Sequence, residues 1–232
     1  MIKNIEILKE YINNDDVWIV GGGSSLNFIS NNFFENKKVL GINNALCKFD
    51  CIFSVTKEPE DLFKDRPKDK CLIMSKHKAG NCGNIYNLCL PHDIVFDHIH
   101  NMGEIDADFI DGKEEKVIVS SSTLSSAIHI AAIAKAKNII LCGCENESRN
   151  GNLYMDGYQI SKRKNCSFTS VSEWMSSDNV NLDLTDLIKK IIGVYEIDIH
   201  ILEPWKTLED KKFDTSVNCE FDTPTNNKVF PH

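Results

Sequence analysis

Residues 117–142, VIVSSSTLSSAIHIAAIAKAKNIILC, contain a complete strand–helix–strand unit. The unit opens with β-branched residues, which is typical of a buried strand. Residues 124–137 are rich in alanine and isoleucine and apolar nearly all round, which predicts a buried helix. Residues 138–142 are apolar again and predict a second strand. A strand, a helix and a strand in this order indicate a parallel βαβ unit.

The same alternation extends toward both ends of the chain. Helices are predicted at residues 2–12 and 185–194, and at 26–34 with Ser24 or Ser25 as the cap. The remaining predicted strands are residues 17–20, 39–42, 51–55, 71–74, 94–96 and 197–201. We therefore predict a single α/β domain over residues 1–204, with a Rossmann-like, doubly wound and mostly parallel sheet. Residues 205–232 form a polar tail that could pack as a loop, join a second subunit of a homo-oligomer, or stay mobile.

Composition narrows the class of protein. The 232 residues carry a net charge of −8, which argues against a broad nucleic-acid interface. Apolar runs are too short to cross a bilayer, and the N-terminal residues alternate apolar with charged side chains, unlike a signal peptide. Nine cysteines without an export signal indicate reduced thiols. We expect a soluble cytoplasmic protein without a transmembrane segment.

A glycine turn, defined as Gly21, Gly22 and Gly23, follows the first predicted strand directly. Glycine lets the backbone approach a ligand closely, and the N-terminus of a following helix favours phosphate. The turn matches neither the G-x-G-x-x-G fingerprint nor a P-loop. A ligand site is the favoured interpretation, because open α/β sheets bind ligands at the carboxyl ends of their strands. The alternative is a tight turn without a ligand.

Two other polar clusters also follow predicted strands. Ser120, Ser121, Ser122 and Thr123 stand between the strand at 117–119 and the buried helix. Their hydroxyls could bind a phosphate or a sugar, or could only cap the helix. Asn43 and Asn44, after the strand at 39–42, could bind a base or ribose, or could form a turn.

Metal binding is the less favoured interpretation of the remaining clusters. The segment 82–100 lacks the close Cys-x-x-Cys pair of most structural zinc sites. Its candidate ligands are Cys82, Cys89, His92, His98 and His100. The pair Asp106 and Asp108 could hold Mg²⁺ for a nucleotide diphosphate, but such spacing arises easily by chance. His129, in an apolar helix, is more typical of a core histidine than of a catalyst.

The order of these motifs resembles the bacterial sialyltransferases of the Campylobacter type. Related domains include flagellin-modifying nonulosonate transferases and archaeal hydroxymethylpterin pyrophosphokinases. The resemblance runs along about 190 residues, and residues 122–145 form its most specific part. The matching stretches are 17–26 (VWIVGGGSSL), 41–44 (GINN), 122–145 (STLSSAIHIAAIAKAKNIILCGCE), 154–158 (YMDGY) and 195–204 (YEIDIHILEP).

The resemblance implies a site for a cytidine monophosphate (CMP) sugar donor. Tyr154 and Tyr158 stand where that family has two tyrosines that contact the donor phosphate, and Glu145 stands where it has an aspartate. Phenolic O–H groups would then stabilise the leaving phosphate without a metal. The implied donor-binding residues are Gly21, Gly22, Gly23, Ser25, Asn43, Ser122, Thr123 and Glu145.

The sequence departs from the family at the general base. The family uses a histidine before the final helix, and residues 168–181 contain none. Asp178 or Glu173 could accept a proton, although an ordinary carboxylate is a weaker base for a sugar hydroxyl. The leading hypothesis is a glycosyltransferase that moves a sugar, such as a nonulosonic acid, from a nucleotide-activated donor to a glycan or protein. The alternatives are a pyrophosphokinase-like enzyme using ATP and Mg²⁺, and a non-catalytic module that binds nucleotides or glycans.

Overall fold

The sheet is the central element of the computed structural model, which describes residues 2–30, 32–47, 49–56, 66–75, 90–100, 110, 112, 116–119, 122–144, 154–156, 185–202 and 221–222. Within these ranges nine strands pair in the order β6-β5-β4-β3-β2-β1-β7-β8-β9. Neighbouring strands are parallel except for β8 and β9. The prediction of a mostly parallel α/β sheet is therefore confirmed. The strands are β1 (Val17–Val20), β2 (Lys38–Ile42), β3 (Phe53–Val55), β4 (Cys71–Ser75), β5 (Ile94–His100), β6 (Lys116–Val119), β7 (Asn138–Cys142), β8 (Asp198–Leu202) and β9 (Phe221–Asp222).

The two faces of the sheet are covered by different structures. Helices α1 (Ile5–Ile12), α2 (Thr123–Ile133) and α3 (Thr185–Tyr195) all contribute to one apolar cluster, together with alternate strand residues such as Ile19 and Leu141. This side is called the helical face below. The side chains between them, such as Val20, point to the opposite face, as the period of two in a strand requires. None of the described helices is long and apolar enough to span a bilayer.

The segment after the glycine turn is not the predicted α-helix. A five-residue 3-10 helix, Ser24–Phe28, begins after Gly23, and no side chain caps it. The predicted caps, Ser24 and Ser25, lie inside the element instead. The consecutive Phe33 and Phe34 are both buried and pack edge-to-face on each other. Adjacent side chains of an α-helix point in different directions. The packing of these two rings therefore disfavours an α-helix at residues 33 and 34.

Several predicted boundaries also shift. The buried helix ends at Ile133, four residues early, because Lys135 takes a left-handed φ of 63°. The strand predicted at 94–96 continues to His100, since its second half pairs with β6. The tail contributes β9, whose Phe221 pairs with Leu202.

Strand β6 lies at the end of the sheet order and is completed by helix α2. The backbone N–H of Ile118 donates to His129 Nδ1 (3.1 Å), and Ser126 Oγ donates to the carbonyl of Ile118 (2.8 Å). His129 Nε2 lies 3.0 Å from the hydroxyl of Tyr195 in α3. His129 is therefore a hydrogen-bonded core residue, as the sequence indicated. Polar side chains on a buried helix satisfy backbone groups that an edge strand would otherwise leave open.

The amino ends of β4 and β5 are held by a buried ion pair. Arg66 donates to Asp93, and both side chains are almost fully enclosed. Asp93 also accepts from the backbone N–H groups of Leu72 (2.8 Å) and Leu90 (2.7 Å). A buried carboxylate is tolerated when donors satisfy it in this way.

Replacing Asp93 by alanine is expected to destabilise the protein strongly. The change leaves the Arg66 guanidinium buried without its counter-charge, which costs about 3–5 kcal/mol in comparable pairs. Urea denaturation followed by circular dichroism measures the loss. The matched control is Asp50→Ala, which breaks the pair between Lys70 and an Asp50 side chain that is 96% exposed. The control should change stability by less than about 1 kcal/mol, and equal losses would contradict the role given to Asp93.

Two thiols near these strand ends are expected to resist alkylation. Burial raises the pKa of Cys51 and that of Cys71 to about 12, so at pH 8 about one thiol in ten thousand is ionised. The thiolate is the reacting form. Alkylation with iodoacetamide, followed by peptide mass spectrometry, should therefore modify the half-buried Cys144 before Cys51 and Cys71. Cys51 and Cys71 should react only after addition of urea, and modification of either at the rate of Cys144 would contradict their burial.

Candidate functional site

Three adjacent strands end in polar loops at the carboxyl edge of the sheet. Val20, the last residue of β1, pairs with Gly41 of β2 on one side and Cys142 of β7 on the other. The glycine turn therefore stands between Asn43, which follows β2, and Gly143, which follows β7. The turns after β1, β2 and β7, which lie far apart in the chain, are thereby brought together at this edge.

The glycine turn packs directly on the loop after β7. The N–H of Gly21 donates to the carbonyl of Cys142, and the N–H of Gly23 to that of Gly143, both at 2.8 Å. A Cβ added to Gly21 would lie 2.3 Å from Gly143 O, and one added to Gly143, whose φ is +60°, would lie 2.4 Å from Leu26. Main chain and Leu26 thus fill the junction between β1 and β7. Two of the three glycine N–H groups form hydrogen bonds within the protein.

The serines after the glycine turn are buried. Ser24 and Ser25 are each 1% exposed. Ser25 was expected to contact a donor, and its burial leaves its hydroxyl little surface to offer a ligand. In the part of the chain that the structure describes, Ser24 Oγ has no hydrogen-bond partner. A 3-10 helix of five residues also replaces the α-helix whose N-terminus was expected to attract phosphate here.

A short extended segment, residues 154–156, lies against the glycine turn and is called the Tyr154 segment below. Tyr154 forms an antiparallel bridge with Gly23. The N–H of Met155 donates to the carbonyl of Gly22 (2.9 Å), and the Met155 side chain is 2% exposed. Tyr154 itself is half-buried. The structure thus places one of the two predicted tyrosines at the predicted turn, across more than 130 residues of sequence.

Asn27 forms a second connection to the Tyr154 segment. Its Oδ1 accepts from the backbone N–H of Asp156 (2.8 Å), and its Nδ2 lies 3.5 Å from Asp156 Oδ1. Asn27 was not predicted as a site residue, because it was assigned to a helix, and Met155 was given no role although it lies in the matching stretch 154–158. Asn27 and Asp156 can be recognised as partners only in the folded protein, because the packing of the sheet brings these two distant residues together.

Asn43 shows both of the features that its sequence position suggested. Its φ is 50°, in the left-handed region, and its carbonyl accepts from Ser54 Oγ (3.0 Å), so the residue does make the turn. Its side chain is half-buried at the carboxyl edge, whereas that of Asn44 is only 4% exposed. Asn43 is therefore the asparagine better placed to contact a ligand.

Ser122 and Thr123 start helix α2 on the helical face. Ser122 Oγ accepts from the N–H of Leu124 (3.2 Å), so the cap interpretation is confirmed for Ser122. Lys137 N–H donates to the carbonyl of Asp15 (3.0 Å), which ties the end of the helical unit to the start of β1. Helix α2 packs on β1, β2 and β3.

Helix α2 follows β6 and packs on it as well, and β6 stands at the end of the sheet order, five positions from β1. Ser122 and Thr123 therefore follow the carboxyl end of β6, not a strand beside the glycine turn. The positive end of the α2 dipole lies at these two residues. Both Ser122 and Thr123 are half-buried.

Other predicted site residues lie outside the described residues. They are Ser120, Ser121, Glu145, Tyr158, Glu173 and Asp178, together with Cys82, Cys89, Asp106, Asp108 and the side chains of His98 and His100 from the metal hypotheses. His92 is described, and its Nε2 lies 3.2 Å from the carbonyl of Lys70. Within the described ranges, no three His, Cys, Asp or Glu side chains are grouped so that they could hold a metal ion.

The substitution Gly21→Ala tests the close approach of the two loops. The new methyl group would collide with the carbonyl of Gly143, and backbone on both sides would have to move. We expect a loss of at least about 1–3 kcal/mol, as for an overpacked core, measured by urea denaturation.

Gly193→Ala in helix α3 is the matched control. A Cβ added there meets nothing within 4 Å, so the control should stabilise the protein by about 0.5–1 kcal/mol. A neutral Gly21→Ala would show that the loops after β1 and β7 are not in main-chain contact.

No family model, curated protein or solved structure matches this chain. Function is therefore inferred from the placement of the described side chains at the carboxyl edge.

Proposed function

We propose that this chain is a glycosyltransferase of the sialyltransferase-like type. It transfers a sugar of the nonulosonic acid class from a CMP-type donor to a glycan or protein acceptor. The observation that carries the proposal is the pairing of the Tyr154 segment with the glycine turn. One edge of the sheet carries a phenol, a glycine turn and an amide side chain. These groups are suited to binding a nucleoside monophosphate.

The strand order supports a Rossmann-like, doubly wound fold as part of this proposal. Strands β2 to β6 lie on one side of β1, and β7 to β9 lie on the other. The direction in which successive strands are added to the sheet thus reverses at the boundary between β1 and β7. In open α/β sheets such a switch point marks the ligand site. Here Gly21 and Gly143 close the junction itself, so we place the donor beside it, toward Asn43 and the first turn of α2.

Each described residue has a role in the proposed site. Asn43 offers both a donor and an acceptor, which suits a base edge or ribose. Thr123 offers a hydroxyl at the positive end of α2, where a phosphate is favoured. Tyr154 donates its phenolic hydrogen bond to the leaving phosphate, whose negative charge grows as the glycosidic bond breaks.

The chemical step draws on residues that the resemblance alone supplies. The acceptor hydroxyl oxygen bonds to the anomeric carbon while the bond from that carbon to the phosphate oxygen breaks. The phosphate oxygen keeps the electron pair, and CMP leaves. Asp178 takes the acceptor proton, Tyr158 provides a second phenol, and Glu145 binds the donor. We also propose a cytoplasmic location, in keeping with the free thiols of Cys51 and Cys71.

Calorimetric titration with CMP tests the proposed donor site. The variant Asn43→Gly removes the amide while keeping a residue that adopts the left-handed region without strain. We expect its affinity for CMP to fall about threefold to tenfold, the worth of one or two hydrogen bonds. Thr123→Val should weaken binding similarly, because only its hydroxyl is replaced.

The matched control is Asn13→Gly. Asn13 has the same φ of 50° but is exposed at the opposite end of β1, so CMP affinity should not change. Absence of CMP binding by the unaltered protein, or equal effects of both asparagine variants, would overturn the proposed site. Binding of ATP only with Mg²⁺ would favour the pyrophosphokinase alternative. Release of CMP from a CMP-sugar by the purified chain distinguishes an enzyme from a binding module.

A further inference from the structure

The position of the Tyr154 side chain depends on how residues 154–156 are held against the glycine turn. In an extended segment alternate side chains point to opposite sides. Met155 enters the apolar cluster on the face opposite the helices, so Tyr154 and Asp156 point away from that cluster. One backbone bond, from Met155 to Gly22, ties the middle of the segment to the glycine turn.

We infer that Asn27 is a positioning residue that holds Tyr154 on the glycine turn by pairing with Asp156. The inference rests on the proposed function, in which Tyr154 contacts the donor phosphate. Asn27 does not contact the donor in this scheme. It acts through the main chain of Asp156, two residues beyond the phenol.

The geometry of the pair supports this role. The Asn27 amide forms a two-point contact, accepting from the Asp156 N–H and approaching its carboxylate with Nδ2. The bond from the Asp156 N–H is the short one, at 2.8 Å, whereas the Nδ2 approach to the carboxylate is long, at 3.5 Å. Two contacts from one amide restrain its orientation as well as its distance. The pair adds a contact beyond the Met155–Gly22 bond, so the Tyr154 segment is held at Asp156 as well as at Met155.

The location of Asn27 strengthens the argument. Asn27 follows Leu26 in the 3-10 helix, and Leu26 packs against Gly143 of the loop after β7. The helix Ser24–Phe28 therefore contacts the β7 loop through one residue and the Tyr154 segment through the next. A shift of this helix would move both loops relative to the proposed donor.

Hydrogen exchange and ligand binding together test the inference on the full chain. The variant Asn27→Asp keeps an acceptor but removes the donor and places two carboxylates side by side. Exchange of the Met155 amide should speed up about threefold to tenfold, since a weakened pair lets the segment open more often. CMP affinity should fall by a similar factor, and adding Tyr154→Phe should then cost less than it does in the unaltered protein.

The combination of Asn27→Asp with Asp156→Asn is the sharpest variant. It exchanges the two side chains, so an amide again faces a carboxylate and one donor–acceptor pair can form between them. We expect it to restore slow Met155 exchange and most of the CMP affinity. Asn32→Ala is the matched control, because Asn32 is exposed and accepts from the nearby Ser30 hydroxyl. It should change neither measurement.

The outcomes separate the two proposals. Unchanged Met155 exchange in Asn27→Asp, or no recovery in the exchanged pair, would overturn the role of Asn27 even if CMP binds. Faster Met155 exchange with fully additive effects of Asn27→Asp and Tyr154→Phe on CMP affinity would also overturn it, since Asn27 would then not act through Tyr154. Failure of the unaltered protein to bind CMP would instead overturn the proposed function, while the exchange data would still decide whether the pair holds the segment.

Discussion

The main-chain contact between Gly21 and Gly143 is the constraint on which the carboxyl edge depends. It continues the pairing of β1 and β7 beyond the strands, through two backbone hydrogen bonds at 2.8 Å. Because neither residue has a side chain, Leu26 can pack over Gly143, and the glycine turn can pair with Tyr154. Any larger residue at position 21 would push apart the loops after β1 and β7.

Helix α2 is the second element that shapes this edge. It carries Ser126 and His129 in an otherwise apolar interior, and both hydrogen-bond to Ile118 of β6. Burying unbonded polar groups would be costly, so these contacts let α2 be fully enclosed and fix its position along the strands. The position of α2 in turn sets the height of Ser122 and Thr123. A core contact therefore determines where the hydroxyls of the edge lie.

The sequence predicted elements whose cause is local and missed those whose cause is distant. Apolar runs such as Ile139–Leu141 and the nearly all-apolar helix were sufficient for the strands and α2, and capping by Ser122 was one of the two interpretations of its hydroxyl run. The 3-10 helix was missed because Phe33 packs on Trp18 and Phe34 on Phe49, and the local sequence does not show these contacts. Asn27 was missed because its partner is 129 residues away. The glycine turn was found, but its contact with Gly143 has no local signature.

The two edges of the sheet differ in how they use polar groups. At the amino edge Asp93 is satisfied by Arg66 and two backbone N–H groups, and the Tyr11 hydroxyl accepts from Val39. These groups form hydrogen bonds within the protein and stabilise the fold. At the carboxyl edge Asn43, Thr123 and Tyr154 are only half-buried. Half-buried polar side chains on a rigid sheet keep a fixed geometry and can still exchange water for a ligand, which a fully enclosed network cannot do without opening.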